Sequence, residues 1–243
     1  MNYNILWHVF IASAVGGLIS LDRVALFQVM VSRPIVTGPL IGLVCGAPAT
    51  GAVIGALLEL LWIGDLPLGS HVPPHETAAA VIATAIAVNT RSVLPGQEIL
   101  GLCILMVIPF AVICQKVDEW IRGFNSHYYY RAVDAIDGGD VNAVGKFSIM
   151  AVLNMFAVNT ILFFSLIVAG ILGVEHIYHV LPYSVRVSFA GFLVILPLIG
   201  IASAFNTVRT NRRAVLILFL ASVLFIGLFK IVPAIFKQGT VGI

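Results

Sequence analysis

Charge is what this sequence has least of. Of its 243 residues 10% are Asp, Glu, Lys or Arg, 60% are hydrophobic, and the mean hydropathy is +1.07. A soluble domain carries roughly 25% charged residues, so this composition excludes water as the main solvent. The formal net charge is only +2. The clustered Arg209, Arg212 and Arg213 are too few to act as a phosphate-neutralising surface, and no nucleic-acid partner is expected. Cysteine is scarce as well. Cys45, Cys103 and Cys114 sit singly inside apolar stretches with no CxxC spacing, which excludes a zinc site or a disulfide framework and leaves them as small buried side chains. There is no nucleotide-binding glycine loop, no GxSxG and no triad spacing. Any energy the protein uses therefore comes from elsewhere, and no cofactor is expected.

What fills the chain is long apolar runs, several of them exceeding the roughly 18 residues a membrane-spanning helix needs. They are continuous and do not alternate, which argues against a β-barrel. The expected fold is all-α: one integral membrane domain over 1–243, a polytopic bundle with broken or re-entrant helices. Spans are expected at 5–20, 35–64, 77–94, 97–115, 147–173, 181–203 and 214–234. The first lacks a basic lead and a small-residue cleavage site and reads as a retained helix, not a signal peptide. The stretch 115–146 is the longest polar one and reads as a central loop. It lies two spans from the basic 206–213 segment, so both fall on one side, and the positive-inside rule makes that side cytoplasmic. His127, Tyr128, Tyr129 and Tyr130 fit either an interfacial aromatic belt or a packed loop.

The 35–64 run is too long for one simple crossing and holds Pro39, Pro48 and glycines 38, 42, 46, 51 and 55, so a broken or hairpin-like element is expected. Gly38, Gly42 and Gly46 recur every four residues, as do Gly51 and Gly55, which predicts a face where helix backbones approach closely. Glu59 lies inside ALLELLWIG. A carboxylate facing lipid would cost several kcal/mol, roughly 2.5 or more on insertion scales, so Glu59 faces protein or a wet cavity. It either serves a substrate or hydrogen-bonds the broken-helix backbone. Asp65 follows, and then Pro67, Gly69, His71, Pro73, Pro74, His75 and Glu76 build irregular backbone, which at membrane depth survives only inside protein or along a hydrated path. Such backbone suits sugar hydroxyls. His71, His75 and Glu76 do not make a metal site, because Pro73 and Pro74 break the helical face that HExxH ligation needs, and no nucleophile is spaced for a hydrolase. Glu76 also fits the first turn of the next helix, and Asp22 fits a solvated loop.

At these residues the sequence resembles the IIC subunits of the mannose/fructose/sorbose family of the bacterial phosphotransferase system. The shared pattern is carried by Leu21-Asp22, Arg33-Pro34, Thr37 to Gly46, Thr50 to Leu60, Gly64 to Gly69 and Val72 to Ala80, and it covers about residues 5–90. The resemblance implies a sugar-translocating subunit of the cytoplasmic (inner) membrane, working with a IID membrane partner as a trimer of IIC–IID pairs. It implies a hexose substrate phosphorylated by soluble IIA and IIB components, so none of the six histidines here is a phosphoryl carrier. Glu59 and Asp22 match acidic positions of the family motif, and with Asp65, His71, His75 and Glu76 they are the candidate sugar-binding residues. One departure stands out: family members often have Pro-Asp where this chain has Pro74-His75. It motivates the alternative of an IIC-like assembly or regulatory subunit that moves no sugar.

Overall fold

The computed structural model describes residues 3–63, 73–91, 94, 96–140 and 142–208. The described residues form helices α1 (Tyr3–Leu21), α2 (Pro34–Val44), α3 (Pro48–Leu61), α4 (Glu76–Arg91), α5 (Glu98–Asp137), α6 (Ala143–Val180), α7 (Tyr183–Ser188) and α8 (Phe192–Val208), with a 3₁₀ turn at Phe189–Gly191. No strand occurs among them. Three helical stretches, Glu98–Asp137, Ala143–Val180 and Tyr183–Ser203, are long and apolar enough to cross a membrane.

The 35–64 run is a helical hairpin, as its prolines and glycines predict. Pro34 and Pro48 each open a helix, where the missing N–H would have no partner anyway and the ring presets φ. At 11 and 14 residues the arms are about 16 and 21 Å long, shorter than the roughly 30 Å hydrocarbon layer. The turn between them is a Schellman cap: Ala47 N donates to Gly42 O at 2.7 Å and Gly46 N to Leu43 O at 3.1 Å, with Gly46 at φ 82°. Gly46 thus leaves the expected packing face, since nothing lies within 4 Å of where its Cβ would be. The other four glycines make that face. A Cβ on Gly38 would strike the Gly51 carbonyl, one on Gly51 the Gly38 carbonyl, and one on Gly55 the Pro34 carbonyl, while a Cβ on Gly42 would come 2.8 Å from Ala47 O.

α4 is the axle of the bundle. Ala78 through Ala87 are wholly buried, enclosed by α1, α2, α3, α5 and α6. Its alanines permit that density of neighbours because a methyl side chain lets several helices approach one axis. α5 and α6 form a long antiparallel pair beside it. Here the structure corrects the expectation for 115–146. The helix begun at Glu98 runs on through the polar residues to Asp137, and only 138–142 separates it from α6. Apolar periodicity fades after Cys114, but helix propensity and i,i+4 pairing such as Asp118–Arg122 carry the backbone onward. It stops at Gly138-Gly139, where Asp140 N returns to Ala135 O at 2.9 Å. His127 to Tyr130 are therefore helical, with Tyr129 and Tyr130 exposed. The expected 181–203 span is divided into α7, the 3₁₀ turn and α8, and the expected 214–234 span lies outside the described residues.

Candidate functional site

Polar groups converge where the N-termini of α2 and α4 meet the C-terminal half of α3. The loop from α1 to α2 delivers the first of them. Asp22, buried just past α1, accepts Val29 N at 2.8 Å on Oδ1 and Ser32 N at 3.0 Å on Oδ2. Burial pushes its carboxyl up, but these amide donors outweigh that and hold it below the usual carboxylate range. The clamp matters because the loop is strained: Phe27, Gln28 and Met30 have φ of 57°, 53° and 66°. Left-handed backbone at non-glycine residues persists only where surrounding contacts impose it. Thr77 Oγ1 then donates to Ser32 O at 2.7 Å, tying the loop end to α4.

Arg33, the residue before α2, bridges two acids. Its Nε is 3.5 Å from Glu59 Oε1 and its Nη1 is 3.1 Å from Glu76 Oε2. Glu59 also accepts Ile35 N at 3.3 Å, satisfying one of the free amides at the start of α2. Both functions considered for Glu59, ligand-facing acid and backbone acceptor, are compatible with this position. Its side chain keeps 17% of its surface accessible and that of Glu76 keeps 15%, so neither carboxylate is sealed. Glu76 is indeed the first residue of α4, as helix-dipole reasoning predicts, and it carries the Arg33 pair as well.

A second ion group lies behind the first. Asp118 on α5 is almost wholly buried, and its Oδ2 accepts Arg122 Nε at 3.1 Å and Nη2 at 2.9 Å, with Arg23 Nη1 at 3.8 Å. Arg23 Nη2 donates to Pro73 O at 3.2 Å. Arg23 thus joins the α1–α2 loop, the approach to α4 and the middle of α5.

His75 is buried to 1% and caps α4: its Nδ1 accepts Ala78 N at 3.1 Å, while its own N donates to Ala111 O at 3.2 Å. An imidazolium has no acceptor nitrogen, so this ring is neutral with its proton on Nε2. The edge of the ring meets Phe163, centroids 6.0 Å apart.

The structure thus brings Glu59, Glu76, His75 and Asp22 into one region, with Asp22 engaged by its own loop. Asp65 and His71 lie outside the described residues. Arg33, Arg23 and Asp118 were not among the expected site residues. Charge balance is the signal that finds the two arginines: before Arg91 the chain has no other Lys or Arg, against the acids Asp22, Glu59, Asp65 and Glu76. Asp118 had no such signal, because its stretch read as a solvated loop. No cluster of three His, Cys, Asp or Glu suited to a metal ion occurs among the described residues.

The family model described as the sorbose-specific IIC component of the phosphotransferase system (PTS) matches residues 5–239. The chain belongs to this family. It is 29% identical to the mannose-specific EIIC component of Escherichia coli K12 over 136 residues, 56% of this chain and 47% of that protein, so the match spans about half the relative's length. In structure it resembles a chain described only as a membrane protein, with TM-score 0.72 and 20% identity, covering 98% of this chain and 96% of that one. It also resembles a chain of the mannose transporter ManYZ in complex with microcin E492, with TM-score 0.58, 20% identity and the same coverage. The fold is that of a multi-pass membrane protein.

Family membership gives the His75 departure a physical meaning. Position 75 is the residue before α4, and its side chain accepts an amide proton from the helix's first turn. Aspartate is a preferred residue for that task. Here a neutral imidazole nitrogen accepts the Ala78 amide proton, a task an aspartate carboxylate at that position could also perform.

Proposed function

We propose that the chain is the sugar-translocating IIC subunit of a mannose-type phosphotransferase system, importing a hexose that a IIB partner phosphorylates. It works with a IID membrane subunit, as a trimer of IIC–IID pairs, in the bacterial cytoplasmic membrane. Phosphate arrives from soluble IIA and IIB, and this chain carries none. The turn between α5 and α6 faces the cytoplasm in this reading. The alternative of an assembly or regulatory subunit without transport, motivated by His75, predicts no uptake in the vesicles described below.

The observation that carries the reading is the Glu59–Arg33–Glu76 bridge, partly open and set where three helix ends meet. A sugar hydroxyl donates to a carboxylate and accepts from a guanidinium, so this trio offers both kinds of bond while Arg33 offsets one of the two carboxylate charges. Asp65 and His71, outside the described residues, remain candidate sugar ligands on the strength of their place in the stretch that carries the family motif. The two arms of the hairpin, one preceded by Arg33 and the other holding Glu59, would move together, because the glycine contacts leave no slack between them.

The test is uptake of radiolabelled mannose by vesicles holding the chain, its IID partner, IIA, IIB and a phosphoenolpyruvate-driven phosphoryl supply. Glu59→Gln is expected to lower the rate at least tenfold, with membrane expression unchanged. Uptake equal to wild type would reject the site.

A further inference from the structure

Three buried polar atoms near the head of α4 have no hydrogen-bond partner among the described residues: Arg23 Nη1, His75 Nε2 and Asp118 Oδ1. They arrive from three separate segments. Arg23 comes from the α1–α2 loop, His75 from the residue before α4, and Asp118 from α5. Several contacts bring them together. Arg23 Nη2 bonds Pro73 O, two residues before His75, and Arg23 Nη1 stands 3.8 Å from the other oxygen of Asp118. His75 N bonds Ala111 O on α5. Ala111, Cys114 and Asp118 follow one another on one face of α5, and side chains tilt toward a helix's N-terminus, so Asp118 leans toward Ala111.

The donor count of this junction is specific. Arg23 Nη1 and His75 Nε2 are donors, the latter because Nδ1 is already an acceptor for Ala78 N. Asp118 Oδ1 is an acceptor. A group that satisfies all three has one proton to give and two lone pairs to receive, which is the inventory of a hydroxyl. A cation would meet Arg23, and an anion would meet Asp118. Leaving three such groups bare is costly, and native proteins rarely do so.

We infer that Arg23, His75 and Asp118 form a binding site for a single hydroxyl group. Its source is a water molecule or, resting on the sugar-transport reading above, one hydroxyl of the transported hexose. The site adjoins the Glu59–Arg33–Glu76 bridge, since Glu76 directly follows His75 in the chain, but it uses none of that bridge's atoms.

The test uses the full chain with its IID partner in lipid nanodiscs, labelled with ¹⁵N-histidine. Without sugar, solid-state NMR should show proton transfer from water to His75 Nε2–H. D-mannose and its monodeoxy derivatives are then added. If mannose abolishes the water signal and one deoxy sugar does not, and that sugar binds about tenfold more weakly, the hydroxyl is the sugar's. If the signal survives saturating mannose, the resident is water. His75→Asn keeps a side-chain oxygen for Ala78 N while deleting the Nε2 donor, so it should erase any deoxy-sugar discrimination and leave helix content intact. Should it misfold, Asp118→Asn, which turns the acceptor side of the junction over to an amide, supplies the same comparison. Absence of both the water signal and deoxy-sugar discrimination in the wild type overturns the inference. Normal uptake in Glu59→Gln would sink the sugar-path reading alone, because the water measurement needs no transport.

Discussion

Replacing Arg33 by methionine removes one cation from between two carboxylates while keeping an unbranched side chain of similar length. At an effective dielectric of about 20, unit charges 3.5 and 3.1 Å apart attract by about 5 kcal/mol each before desolvation is subtracted. The net worth of the bridge is far smaller, but losing the shared partner strands two partly buried acids, and breaking a buried pair from one side costs roughly 3–5 kcal/mol. Because Glu59 and Glu76 keep some accessible surface, about 2–3 kcal/mol is the better expectation for Arg33→Met. The assay is a double-mutant cycle by thermal unfolding in one detergent: wild type, Arg33→Met, Glu59→Gln and the double variant. With Arg33 gone, Glu59→Gln removes one of two unbalanced charges and should recover about 1 kcal/mol or more, whereas in the wild type it should destabilise. A single Arg33→Met variant as stable as wild type, or a double variant that is merely the sum of the two losses, would refute the bridge.

Gly51→Ala should prevent stable expression, and Gly38→Ala likewise, because each added methyl meets opposing backbone that cannot rotate away; size-exclusion profiles of membrane extracts check this against Gly46→Asn, which suits the left-handed turn and should cost well under ~1 kcal/mol. Asp22 has a carboxyl held lower in the fold than in the unfolded chain. Its contribution is therefore complete above the unfolded value, about 3.9, and is lost as pH falls through the lower folded one, so a melting-temperature profile over acid pH should lose that limb in Asp22→Asn. Asp22→Asn should also destabilise at neutral pH by about 2 kcal/mol, because its amide group confronts the donor of Val29 or Ser32. Asn159→Leu breaks the buried bond from Asn159 Nδ2 to Ser20 Oγ at 3.0 Å between α6 and α1 and should cost roughly 1 kcal/mol, read by the same thermal assay.

Much of the architecture is legible in one dimension because its physics is local. Lipid solvation needs long apolar runs, and those are counted directly. Pro34 and Pro48 mark helix starts by stereochemistry, and the four-residue glycine spacing of the hairpin anticipates backbone contact without naming the partner, which proved to be the hairpin's own other arm. Glu59 declares itself by its price in an oily helix. The polar 115–146 stretch misleads for an equally physical reason: polarity reports solvent, not secondary structure, and a helix leaving an apolar environment has no cause to end until a residue such as Gly139 turns it.

By itself the sequence determined the class of solvent, the all-α build, the broken 35–64 element and the acids that need company, since each depends on a residue's own chemistry or its near neighbours. Only tertiary structure decided which charges meet. Arg33 between Glu59 and Glu76, and Arg23 with Pro73 and Asp118, are contacts across 26, 43, 50 and 95 positions of chain by subtraction of residue numbers. No periodicity encodes them. They exist because an alanine-rich α4 lets five helices crowd one axis and so carries the ends of distant segments to a common point.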